Sequence, residues 1–162
     1  MSYPQQQQQQ PFLQAGEPPL WAPYYGAPLP VAVKRFFKKY ATFSGRASRS
    51  EYWWWTLVSV GVSIILQIVA GIMGAAGATV TADGTAVPGA GAVPVYIVLV
   101  IWGLATIVPS LALAVRRLHD ANLTGWLLLV VLVPFVGAIA LLVMTILASK
   151  PEGQRFDQPG SV

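Results

Sequence analysis

The chain has 162 residues, 55% of them hydrophobic and 10% charged, with a net charge of +4 and no cysteine. A soluble domain carries roughly 25% charged residues, so this composition excludes a sizeable water-soluble domain. The lack of cysteine rules out disulfides, thiol catalysis and thiolate metal sites.

Residues Met1 to Pro30 hold a polyglutamine run, Gln5 to Gln10, followed by six prolines. Proline removes backbone donors and fixes φ, so a disordered, passive tail is expected here. It lacks a basic region followed by an apolar run and does not read as a cleaved signal peptide. Over residues 31–41, Val33, Phe36, Phe37 and Tyr40 fall at i, i+3, i+4 and i+7, the spacing of one helical face. Lys34, Arg35, Lys38 and Lys39 are assigned to the opposite face. The pattern predicts a basic amphipathic helix lying in the headgroup layer, where anionic lipid headgroups are candidate partners.

Ser44 and Gly45 break that helix. The stretch FSGRASRSEYWWW follows, from Phe43 to Trp55. Ser48 stands three residues before Glu51, the arrangement of a capping box. Three tryptophans then open a segment with no charge before Asp83. Charge, then aromatic residues, then about twenty apolar residues is the order met across a membrane–water interface. Two further charge-free stretches run from Asp83 to Arg116 and from Asp120 to Lys150. Each is long enough to cross a ~30 Å hydrocarbon core.

The expectation is an all-α membrane protein with three transmembrane helices, at about 52–77, 95–115 and 125–148. Small residues at Ala70, Gly74 and Ala78 suit close helix approach on the first span. Residues 78–94 read as a loop. Pro109 and Pro134 are expected to kink the second and third helices. Asn122 or Thr124 is a candidate cap for the third. Residues 150–162 read as a polar C-terminal tail. The segments before the first helix and between the second and third hold eight Lys or Arg, against two in the C-terminal tail and none in the loop between the first and second. Positive charge stays cytoplasmic, which predicts a cytoplasmic N-terminus and, for three spans, an external C-terminus. A third segment that entered and returned, bent at Pro134, would leave both ends cytoplasmic.

Two charged motifs, FSGRASRSEYW and AVRRLHDANLTGW, should meet on that cytoplasmic face. They bring together Arg46, Arg49, Glu51, Arg116, Arg117, His119 and Asp120. Charges at membrane depth are costly and usually pair. The expected arrangement is a polar clasp, with Arg116 or Arg117 on Glu51 and Arg46 or Arg49 on Asp120; binding of an anionic headgroup is the alternative use. Adjacent His119 and Asp120 point about 100° apart on a helix, and no nucleophile–base set accompanies them. No enzyme activity, cofactor or metal site is expected. The basic cluster has no nucleic-acid module beside it.

These motifs resemble a bacterial family of small inner-membrane proteins, domain of unknown function 805. The resemblance rests on F-x-G-R-x-x-R-x-E-Y-W, here Phe43 to Trp53, and R-R-L-H-D-x-x-x-x-G-W, here Arg116 to Trp126. Pro134 and Gly137 add a weaker match, and the likeness covers about Lys34 to Pro159. After the last helix the chain departs from the family pattern, with Gln154 in place of an asparagine and Asp157 in place of a glycine. The resemblance implies the bacterial inner membrane and no defined activity. The reading that follows is an interaction, assembly or regulatory membrane protein, bound to the bilayer and to other membrane proteins or itself. The alternative is an oligomeric channel or transporter of a small solute or ion. The spans contain Ser59, Ser63, Gln67, Thr106, Ser110 and Thr145 but no ionisable group at mid-depth.

Overall fold

The computed structural model describes residues 17–157. The expectation for residues 1–16, including the polyglutamine run, falls outside them. The chain is mostly helical. Helix α1 covers Leu29–Lys38, α2 covers Arg49–Ala75 and α3 covers Ala92–Asp120. Two further helical pieces follow, a 3-10 segment at Gly125–Leu132 and α4 at Val136–Ile146. A short 3-10 turn, Pro151–Phe156, ends the described chain.

Helices α2 and α3 are both long and apolar enough to cross a membrane. Their 27 and 29 residues span roughly 40 Å each at 1.5 Å per residue. The predicted capping box opens α2. Glu51 N donates to Ser48 Oγ at 3.2 Å, and Ser48 N donates to Glu51 Oε2 at 2.9 Å. Pro109 sits inside α3, which runs on through it. Residues 76–91 join the helices through a two-stranded hairpin, Thr79–Val80 against Ala86–Val87. The chain is therefore not wholly helical. Beside the hairpin a Cβ on Gly74 would sit 3.3 Å from Ala92 Cβ. The small-residue stripe lets the end of α2 approach the start of α3 within this chain.

The third predicted span is not a single transmembrane helix. Gly125 lies against Val115 and His119, at the end of α3. The chain enters as a 3-10 segment, turns at Val133–Phe135 and returns as α4. Arg117 Nε then meets the Thr145 carbonyl at 2.9 Å, and Arg49 Nε meets that of Leu147 at 3.1 Å. Both ends of the segment therefore sit at the same end of the α2–α3 pair. Eight residues at 2.0 Å and eleven at 1.5 Å give two arms of roughly 16 Å each, half the depth of a ~30 Å core. The physical cause is the turn. Pro134 lacks a backbone donor, Phe135 adopts φ 59°, and a side chain on Gly137 would run into the Val130 carbonyl. Thr124 stands at the N-cap of the inward arm but makes no capping bond, and Asn122 takes φ 60° in the preceding turn instead.

The interior sits at the charged end. Only four α2 residues are buried: Glu51, Trp55, Ala70 and Gly74. In α3 burial is concentrated after Ala112, and includes Arg116, Arg117 and Asp120. A small apolar cluster of Phe36, Ala47, Trp55 and Leu113 underlies this region. Phe36 stacks on Trp55 with ring centroids 3.4 Å apart, holding α1 against α2.

Candidate functional site

Helix α1 differs from the expected surface helix. Its inward face is Ala32, Arg35, Phe36 and Lys39, again spaced i, i+3, i+4, i+7. Phe37 and Tyr40 are exposed, as are Lys34 and Lys38. Arg35 and Lys39 thus leave the solvated face assigned to them and enter the interior. The apolar pattern reads as one stripe, but Phe36 stacks flat on Trp55 inside, while Phe37 meets the same ring edge-on and stays exposed.

Arg35 is 1% exposed and uses its whole guanidinium fork. Its Nε donates to Glu51 Oε1 at 2.7 Å. Nη1 reaches the Pro18 carbonyl at 2.9 Å, and Nη2 those of Pro19, Leu20 and Ala22. Residues 17–28 are consequently a packed strap and not a passive tail. Tyr24 N donates to Glu51 Oε2 at 3.1 Å, Ala27 N to Ser50 Oγ at 2.9 Å, and Ser48 Oγ to the Tyr24 carbonyl at 2.6 Å. Proline-rich backbone leaves many carbonyls unpaired by neighbours, and a buried arginine satisfies them.

Asp120 is the second centre and is fully buried. It accepts from Arg117 Nη1 and from the Tyr25 hydroxyl, each at 2.7 Å, and from Ser149 Oγ. Arg46 Nη1 lies 3.8 Å away. Arg46 pairs more closely with Asp157, Nη2 to Oδ2 at 2.7 Å and Nε to Oδ1 at 3.0 Å. Arg117 also donates to the Thr145 and Leu147 carbonyls, at the C-terminal end of the returning arm. His119 Nδ1 is 3.1 Å from the Gly45 carbonyl, and its ring stacks on Phe156 at 4.0 Å. A carbonyl can only accept, so the proton is on Nδ1.

All seven sequence-predicted residues converge on this end of the molecule. Their pairing differs in part. Glu51 takes Arg35, not Arg116 or Arg117. Arg46 approaches Asp120 as expected, while Arg49 binds the Leu147 carbonyl. Arg116 donates from Nε to the Ala112 carbonyl at 3.1 Å, and its own carbonyl accepts from Ala47 N at 3.0 Å. The sequence reading missed Tyr25, Arg35, Lys39 and Asp157. For Arg35 and Lys39 the signal was their shared spacing with Phe36. For Asp157 it was a carboxylate standing where the family pattern has glycine. Burial first, and then the neighbouring Arg116 guanidinium, push the Lys39 ammonium down to about 7, against the pull of Glu51.

Comparison with known proteins places this arrangement. Residues 40–158 match the family model described as "Protein of unknown function (DUF805)". The chain is 39% identical over 106 residues to inner membrane protein YhaI of Escherichia coli K12, covering 65% of this chain and 75% of that protein. It is 31% identical over 122 residues to inner membrane protein YhaH of the same strain, covering 75% and 89%. No solved structure matches. Both charged motifs fall inside the matched region, as do both long apolar helices and the returning segment, and on that basis the chain belongs to the DUF805 family of proteins of unknown function.

Proposed function

We propose that this chain is a non-catalytic inner-membrane protein that works by binding other membrane proteins through the outward faces of α2 and α3, as an assembly or regulatory subunit. The observation that carries the reading is where its polar chemistry is used. Nearly every charged group at the closed end is engaged by this chain's own residues, and the apolar length of α2 is left free. Ile64, Ile65, Ile68 and Ile72 are exposed along it. His119 supports the same reading, since Gly45 and Phe156 occupy its ring. The proposed topology has two spans and one re-entrant hairpin, with both chain ends cytoplasmic. The clasp holds the spans at one end, and their lipid-facing surfaces provide the contact.

Photo-crosslinking residues at Ile65 and Ile72 test this in native membranes. Discrete protein adducts are expected from these positions, and purified protein in liposomes should pass no ion or small solute. Adducts to lipid alone, together with solute flux above that of empty vesicles, would replace this reading with a transport one.

A further inference from the structure

Two buried cations stand apart from the clasp. Lys39 and Arg116 are each 1% exposed. Lys39 Nζ and Arg116 Nη2 find no hydrogen-bond partner among the described residues. Neither forms an ion pair with a described carboxylate, whereas Arg35, Arg46 and Arg117 all do. Glu51, an acid of the same region, already accepts from Arg35, Tyr24 and Ser48. The Arg46, Arg117, Asp120 and Asp157 group balances two positive charges with two negative ones. Lys39 and Arg116 feel the charge of Glu51 only beyond ion-pair distance, and Glu51 is already engaged by Arg35. Burying one unpaired charge costs several kcal/mol in practice, on the order of the whole stability of a small domain. The Arg116 charge also acts unfavourably on the Lys39 ammonium.

We propose that Lys39 and Arg116 form a site for a phosphate-class oxyanion, supplied by a phospholipid headgroup or by free phosphate. The chemistry of the donors suits this. An arginine fork matches two oxygens of a phosphate, and lysine adds a compact point charge. The position suits it too. Lys39 is the residue that follows α1 and Arg116 lies one turn before the end of α3, which on the proposed topology puts both near the cytoplasmic headgroup layer. The turn that follows Lys39 is at the surface, with Tyr40, Ala41 and Phe43 exposed. Burial and the Arg116 charge depress the Lys39 ammonium to about 7, with Arg35 acting in the same direction and Glu51 and Asp157 opposing. A bound anion reverses that imbalance and holds Lys39 charged. This inference rests on the membrane setting of the family and not on the partner-protein reading, so either can fail alone.

The test is thermal unfolding of the purified full chain in a neutral detergent. Inorganic phosphate, phosphatidylglycerol and uncharged diacylglycerol are titrated separately into wild type, Lys39→Met and Lys34→Ala. Wild type and Lys34→Ala should be stabilised alike, and Lys39→Met should need at least about tenfold more ligand for the same shift. Stabilisation by both phosphate and phosphatidylglycerol assigns the site to the phosphate group itself. Stabilisation by phosphatidylglycerol alone assigns it to lipid, and by phosphate alone to a soluble anion. Equal shifts in wild type and Lys39→Met, no shift with either anion, or an equal shift with diacylglycerol would overturn the proposal. Lys39→Met removes a cation with no partner, so it should fold at least as stably as wild type without ligand. Lys39→Gln gives a polar second variant with the same expected loss.

Discussion

Arg35 Nε and Glu51 Oε1 are 2.7 Å apart, with their side chains 1% and 4% exposed. This one pair ties α1 to the capping box of α2 and, through the remaining donors of Arg35, ties both to the strap. Removing either partner leaves a buried charge uncompensated, which typically costs about 3–5 kcal/mol. Arg35→Met and Glu51→Gln should each lower the unfolding midpoint strongly in detergent, and the double variant should recover part of the loss. Lys34, with 56% of its side chain exposed, should tolerate alanine within about 0.5 kcal/mol. Equal effects of Lys34→Ala and Arg35→Met would show that Arg35 is solvated.

Lys39 gives a pH dependence of definite sign. Its folded-state value is depressed to about 7 from an ordinary value of 10.5. Between those values the unfolded chain binds the extra proton, so stability rises with pH. In phosphate-free detergent, wild type should gain stability from pH 7 towards pH 10, and Lys39→Met should lack that component of the slope. Identical slopes from denaturant unfolding across this range would mean that Lys39 is not desolvated.

The hairpin at residues 125–146 predicts where the chain's end lies. The native sequence has no cysteine, so single substitutions report without background. Asp83→Cys, in the loop between the spans, should react with an impermeant maleimide added outside the inner membrane. Glu152→Cys should react only after permeabilisation. Labelling of both from outside would restore a third full crossing.

Gly137 sets the closeness of the two hairpin arms, since an added Cβ meets the Val130 carbonyl. Gly137→Ala should force the arms apart at a cost of about 1–3 kcal/mol. The returning end then withdraws from Arg117 and Arg49, so the loss should appear as earlier proteolysis near Lys150. Gly61, with open space around its Cβ position, should accept alanine without loss and is the control.

The features legible in the sequence were those governed by local rules. Charge-free length located α2 and α3, Ser48 and Glu51 located the start of α2, and the two arginine motifs located the closed end. The pairing within that end was less legible, because it depends on which side of α1 faces Trp55. A helix with aromatics at Phe36, Phe37 and Tyr40 has two plausible inward faces, and only the contact with α2 chooses between them. The third segment left two readings open, a full span and an entry and return bent at Pro134, for a different reason. Hydropathy registers Gly125 to Leu147 as one run, and a single Pro134 reads as a kink. The turn is made by Phe135 at positive φ and by the absence of a side chain at Gly137, neither of which changes hydropathy. Composition likewise marked residues 17–28 as unstructured, since the order there comes from a distant arginine and not from any local regularity.

Arg46 and Asp157 are 111 residues apart in the chain. Synthesis from the N-terminus at about 5–20 residues per second puts roughly 6–20 s between the two residues emerging. Asp120, the other acid near Arg46, also arrives only after both long helices have been made. Until both long helices are complete, neither acid that meets Arg46 in the folded chain has been made. That is when the first helix must commit to an orientation, for which positive charge flanking the helix is the cue. On the proposed topology the same side chain would serve two successive purposes: an address label while the protein is being inserted, and a strut paired with Asp157 once the last residues arrive.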